Sequence, residues 1–476
     1  PPTMGQTPSK QPSVDPVSSD AANIVADLLV EFEVNQRVEQ DHMAASALEP
    51  ALEPGLSHGP PRTLATDHCS HVTWAVGRRD QPLHVHQLWR QAAAHGAVGC
   101  CTLESLPVWS RGIAKGCCDL GPTRYWCLTP QKCVATTDTD YSRLGSILKP
   151  VSSHSSLLHA VVYVFPNQMR EFYRHFVHLP PNARLTLVSN GEDASLPREV
   201  FADPMAGFAR MEYKGRSGMP TRNLTGFLAD RRLLHWFVQN YDLRGSNPFS
   251  GPSRWEWDQE DSARLGAKVS AIPIGVDLHT LDEYESPCAQ AAELRAVRAV
   301  HPSFAKKLQA TAGQVLLPLN CIPNKMPGYR ARCCASLRAA AHTNPNLHFF
   351  TGPRNATWRE TSKYALVAAP IGHGIDTQRL WETLVLGSVP VVLNSSLNGL
   401  YDPFPVAIVG SWDALSDPTE PARLAENIME RFGPEPFQSV DLRHRLSMGY
   451  WLTHIRRVHA SAIAKELESL ELERPA

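Results

Sequence analysis

A glycine-bordered bend that leads into a helix carrying an arginine and a glutamate can hold a diphosphate, and residues 372–382 of this 476-residue chain have that pattern. Gly372 and Gly374 let backbone approach a ligand closely. Asp376 or Thr377 then caps a helix whose first N–H groups and positive dipole end attract an anion. Arg379 adds a forked cation, and Glu382, one turn beyond Gln378, has the reach to accept from the two hydroxyls of a ribose. His373, between the glycines, is a candidate donor to a phosphate or sugar oxygen. Spacing alone also fits a second account, in which the glycines only turn the chain and Arg379 and Glu382 form a pair on a helix surface.

Such a bend needs a strand before it and a helix after it. The runs Leu158–Phe165, Arg184–Ser189, His235–Gln239, Lys268–Ile274, Gln314–Leu319, Leu347–Phe350, Tyr364–Ala368, Val389–Leu393 and Val406–Val409 are short and apolar, as in strands covered on both faces. Helices are expected from Asn167 to about His178 and over Leu224–Leu234, Arg330–His342 and Gln378–Leu386, with one or two closing helices between Val440 and Leu472. The alternation predicts an α/β fold of two doubly wound halves facing a cleft and meeting near Gly275–Thr311. The expected organisation is a disordered tail over 1–20, a helical stem over 21–60, a cysteine-rich subdomain over 61–150, Rossmann-like domains over 151–270 and 271–435, and closing helices over 436–476.

With 46 Lys plus Arg against 47 Asp plus Glu, the net charge of −1 gives no summed field toward polyanions, so no nucleic-acid partner is expected. No run approaches the roughly 18–20 apolar residues of a membrane-spanning helix. The opening Pro1-Pro2-Thr3-Met4 reads as a trimmed start, so a membrane anchor is expected of the native protein outside this chain. Seven of the eleven cysteines fall between Cys69 and Cys133. Their adjacent doublets lack the spacing of a zinc knuckle, and disulfides in an oxidising compartment fit better. Sequons at Asn223, Asn355 and Asn394 point the same way, to the Golgi or endoplasmic reticulum lumen.

The stretch around the bend resembles the C-terminal signature of exostosin-like glycosyltransferases, family 47. There a glycine loop leads to D-T-x-R-x-[WFY]-E and then to a G-x-[IV]-P-V-[VI] strand; here these are Asp376-Thr-Gln-Arg-Leu-Trp-Glu382 and Gly387-Ser-Val-Pro-Val-Val392. Phe350-Thr-Gly-Pro-Arg354 resembles the family's F-x-G-x-R segment, while His235–Asp242 and Ile272–Asp277 resemble the end of its N-terminal domain. The likeness covers about 157–415.

What the resemblance implies is a GT-B enzyme, with the nucleotide sugar on the second domain and the acceptor on the first. It would move a sugar from a nucleoside diphosphate sugar, a UDP-sugar by preference, to a hydroxyl of a glycan or glycoprotein, with inversion and without metal or cofactor. Arg379 would neutralise the diphosphate, Glu382 would hold the ribose, and Gly372, His373, Gly374, Asp376 and Thr377 would lie against phosphates and sugar, with Arg354 as a second cation. Two other readings stand beside it. One is a fucosyltransferase-like GT-B enzyme using a GDP-sugar, although Asp376-Thr-Gln-Arg379 replaces the usual Tyr-x-Thr-Glu-Lys; the other is an inactive carbohydrate-binding protein with this fold.

Inversion needs a general base on the acceptor side, for which Glu192, Asp193 and Asp242 are the candidates at strand ends. Asp138-Thr-Asp140 has the D-x-D form that binds manganese in another glycosyltransferase fold, but no apolar strand precedes it and an Asx turn is expected. Trp255, Trp257 and Tyr241 are candidates to stack on sugar faces.

Overall fold

The computed structural model describes residues 106–110, 113, 118–120, 125–129, 132–135, 139–151, 154–190, 196–197, 224–242, 266–278, 287–319, 328–372 and 374–472. The architecture is mixed α/β with parallel sheets. The first sheet holds β1 (Lys149–Val151), β2 (His154–Tyr163), β3 (Ala183–Ser189), β4 (Leu233–Val238) and β5 (Val269–Ala271) in that spatial order; β1 is antiparallel to β2 and the rest run parallel. The second holds β6 (Val315–Leu317), β7 (Leu347–Phe349), β8 (Leu366–Ala368), β9 (Val389–Leu393) and β10 (Ala407–Val409), all parallel, in the order β7-β6-β8-β9-β10.

These strands are apolar on successive residues because both faces are covered. All seven residues of β3 are buried, as are all three of β6 and of β8. Alternation sends Ala160, Val162, Leu187 and Trp236 to one side of the first sheet, where they meet Met169, Phe172 and Phe176 of α1 (Met169–Phe176) and Phe227 of α2 (Leu224–Ala229). Val161, Tyr163, Val188 and Phe237 point the other way, into a core continuous with that of the second sheet. A Trp236→Ala change in this packing would cost about 3–5 kcal/mol.

Around the second sheet lie α3 (Pro287–Val300), α4 (Phe304–Ala310), α5 (Gly328–Thr343), α6 (Arg354–Thr361), α7 (Gln378–Val385) and α8 (Glu420–Phe432). After α9 (Val440–Arg445) the last helix, α10 (Met448–Leu472), returns to the first sheet. Ile463 and Leu467 pack on Val151, Leu157 and Leu234, Arg184 pairs with Glu466, and His459 lies 2.9 Å from both His159 and the Thr186 hydroxyl. The chain's end thus fastens the beginning of its fold. Among the described residues, no helix is long and apolar enough to cross a membrane.

One expectation differs from this picture. The helix expected over Leu224–Leu234 stops at Ala229, because the Asp230 carboxylate accepts from the Arg232 N–H and turns the chain, freeing Leu233 and Leu234 for β4. The expected 61–150 block is described only in part: Tyr125–Thr129 and Lys132–Ala135 pair as a two-stranded antiparallel sheet of their own, while other described residues of the block join the main cores. Leu106, Val108 and Ile113 belong to the core shared by the two sheets, and Leu120, Tyr141 and Leu144 to the first sheet's own. The Val108 carbonyl lies about where a side chain at residue 275 would begin, 2.1 Å from an ideal Cβ, and Gly275 also has φ +70°, so only glycine fits. The expected tail and stem, 1–60, lie outside the described residues.

Candidate functional site

The order β7-β6-β8-β9-β10 reverses direction between β6 and β8, and in open α/β sheets ligands bind beyond the carboxyl ends of strands at such a reversal. The glycine bend is the loop that leaves β8, and Arg354 opens α6 just after β7, so both lie at that end of the sheet. In α7 the residues Leu380, Trp381, Leu384 and Val385 are buried, which turns Gln378, Arg379 and Glu382 to the partly exposed side. Thr377 precedes the helix in extended conformation and makes no side-chain cap.

Arg354 is held from three directions. Its Nη2 donates to Asp277 Oδ2 at 2.6 Å, its guanidinium lies 5.9 Å from the ring centre of Trp358, and the Glu382 carboxylate is an electrostatic neighbour. Burial pushes the Glu382 carboxyl above the usual carboxylate range; Arg354, the Trp358 indole and Arg379 pull it down, and Asp277 adds to the rise. The result is a compact set of two arginines and two carboxylates, drawn from three separate segments. Arg354 was expected as a second cation; its tie to Asp277 was not foreseen.

The bend itself is clasped by the first sheet. The Asp376 N–H donates to Asn240 Oδ1 at 2.8 Å, and Asp376 Oδ2 accepts from the Ile274 N–H at 2.7 Å. Asp376 also accepts from the Trp381 indole at 2.9 Å, the Tyr401 hydroxyl at 3.2 Å and the Thr377 N–H at 3.0 Å. Its acceptor capacity is therefore used inside the protein, and burial still raises its pKa to about 6. Sequence reasoning placed Asp376 and Gly374 against the phosphates; the structure turns both toward Asn240, because Gly374 lies where an added Cβ would be 2.5 Å from that amide. Gly372 is buried too, its N–H bonded to the Gly374 carbonyl at 3.2 Å. The accessible edge begins at Thr377 and continues through Gln378, Arg379 and Glu382.

At its far end α7 is closed by a buried cation. Lys307 Nζ donates to the carbonyls of Leu386 at 3.0 Å and Gly387 at 2.7 Å and to the Ser388 hydroxyl at 3.1 Å. Burial, with Arg298 nearby, lowers its pKa to about 7.

His373, Glu192, Asp193, Asp138, Trp255 and Trp257 lie outside the described residues. Asp242 is fully buried in a short parallel pair between Tyr241–Asp242 and Leu196–Pro197. Asp140 is exposed, and its carboxylate accepts from the Ser142 N–H at 3.1 Å, capping a short 3-10 helix. Among the described residues, no group of three or more His, Cys, Asp or Glu side chains could hold a metal ion. Sequence reasoning gave no role to Asp277, Asn240 or Trp358. Asn240 carried one usable signal, since asparagine tolerates the left-handed backbone conformation that a sharp turn after a strand demands, and its φ is +52°.

Comparison of the chain with known protein families and with curated proteins finds no match.

Proposed function

We propose that the protein is a GT-B-type glycosyltransferase, with two Rossmann-like domains facing a cleft, that moves a sugar from a UDP-sugar to a hydroxyl of a glycan or glycoprotein. The observation that carries this reading is the meeting of Arg354, Arg379 and Glu382 beside the start of α7, at the strand-order reversal of the second sheet. Resemblance of Asp376–Glu382 and Gly387–Val392 to the exostosin-like signature supports it independently.

In this reading the diphosphate lies along Thr377–Arg379, not within the glycine bend. Arg379 and the first N–H groups of α7 stabilise the charge that builds on the departing diphosphate, which takes the place of a metal ion. Arg354, fixed by Asp277, adds a second positive centre that needs no reorganisation. Glu382 accepts from the ribose hydroxyls. Asp376 serves by positioning, since its carboxylate anchors the bend, Trp381 and Tyr401 to one another. For inversion the general base is assigned to Glu192 or Asp193 in preference to Asp242, whose side chain is fully buried.

A secretory-pathway location, in the Golgi or endoplasmic reticulum lumen, belongs to the same proposal. It is supported by the cysteine-rich stretch Cys69–Cys133 and by an exposed sequon asparagine, Asn394. The test is a screen of nucleotide sugars for hydrolysis or transfer with mass detection. Turnover of a UDP-sugar, abolished or strongly reduced in Arg379→Ala, is the expected result; turnover of GDP-fucose alone would select the fucosyltransferase-like reading, and no turnover with any donor would leave a binding protein.

A further inference from the structure

We infer that Asn240, in the turn that leaves β4 of the first sheet, is a positioning residue for the donor site on the second, acting through the bend at Gly374–Asp376; the inference rests on the glycosyltransferase reading above. Three independent features meet at this side chain. Asn240 is fully buried, its backbone holds the left-handed φ of +52° two residues after β4, and its Oδ1 takes the Asp376 N–H at 2.8 Å. Asparagine tolerates that backbone, which here turns the chain so that its side chain meets the bend. Gly374 completes the fit from the other side. Its φ is not left-handed, so the glycine is required by space: an added Cβ would stand 2.5 Å from Asn240 Nδ2 and 2.7 Å from Oδ1.

The consequence concerns the start of α7. Asp376 is one residue before Thr377, where the accessible edge begins, and its carboxylate is tied to Ile274, in the loop after β5 of the first sheet, as well as to Trp381 of the helix. The direction in which Thr377, Gln378 and Arg379 present themselves is therefore set by the first sheet through two hydrogen bonds, one to the Asn240 side chain and one from the Ile274 backbone. Removing the Asn240 amide leaves α7 intact but lets the bend turn, so the diphosphate-binding edge loses its alignment.

The experiment uses the full chain and UDP as the probe, with affinity read by calorimetry and folding by thermal melting. Asn240→Gly keeps the left-handed backbone accessible while deleting the acceptor, and is expected to bind UDP about five- to tenfold more weakly, the loss of one well-formed hydrogen bond. Gly374→Ala disturbs the same contact from the opposite side by a clash with the Asn240 amide and is expected to weaken UDP binding at least as much. The double variant Asn240→Gly, Gly374→Ala has room for the new methyl group and should bind better than Gly374→Ala alone. Wild-type affinity in a folded Asn240→Gly protein, or a double variant no better than Gly374→Ala, overturns the inference. Wild-type protein that binds neither UDP nor GDP is a different result: the donor-site reading itself fails, and the positioning role falls with it.

Discussion

At the C-terminal end of α7 a buried lysine completes the helix, giving its protons to Leu386, Gly387 and Ser388; at the N-terminal end Thr377 offers no side-chain cap, and Arg379 and Glu382 sit partly exposed. Both ends gather charge, but in different ways. Lys307 is committed to carbonyl groups of the protein, whereas the arginines and carboxylates at the other end belong to three segments, with Arg354 held by Asp277 and Glu382 kept above its usual range. Between the two designs stands Asp376, whose carboxylate is fully occupied yet lies one residue from the accessible edge. The difference separates charge that finishes a fold from charge placed at its rim, and each variant below acts on one end only.

The largest effect is expected from Asp376→Ala. It leaves the Trp381 indole, the Tyr401 hydroxyl and the Ile274 N–H buried without their shared acceptor, which should cost about 3–5 kcal/mol in denaturant unfolding. A subtler version of the same test uses pH. The folded-state pKa of Asp376 is raised from 3.8 to about 6, so its contribution is fully present below about pH 4 and is lost as pH rises through 6. Three histidines work in the opposite sense: His235 is lowered to about 3, His454 to about 4 and His459 well below 6.5, so their stability is present above 6.5 and lost on acidification. Because the histidines are common to both proteins, the difference between wild type and Asp376→Asn isolates the carboxyl. That difference should change by about 2–3 kcal/mol between pH 4 and 7, the wild type losing ground as pH rises.

Lys307→Ala should cost about 2–4 kcal/mol, since three acceptors at the closed end lose their donor, while UDP affinity stays within about twofold. Thermal melting and calorimetry on one preparation check both halves of that statement. Arg379→Ala reverses the pattern, weakening UDP by about 1.5–3 kcal/mol with little change in melting. Glu382→Gln should weaken UDP by about tenfold without unfolding the protein, read as a rise in the donor KM. If Arg379→Ala destabilised the fold as much as Lys307→Ala does, the contrast between the two ends would disappear.

Much of this organisation is legible in the residues. The run Val389–Leu393 is the strand it was expected to be, and the helix after the bend spans Gln378–Val385 against an expected Gln378–Leu386. Both carry strong local signals, an unbroken apolar run in one and a buried stripe in the other. The helix α6 was missed because Arg354–Thr361 has no apolar stripe; only Trp358 and Thr361 in it are buried. The commitment of Asp376 was beyond sequence reach for another reason. Its partners Asn240 and Ile274 lie 136 and 102 positions away, and nothing in Asp376-Thr-Gln-Arg distinguishes a carboxylate that faces a ligand from one that anchors a bend. The Asp277–Arg354 pair, 77 positions apart, was hidden in the same way.

The most direct test of the account is amide hydrogen exchange of the full chain with and without saturating UDP. Protection concentrated at Thr377–Glu382 and at the start of α6, around Arg354, is the predicted result. UDP-dependent protection confined to other segments, with these two unchanged, would contradict it.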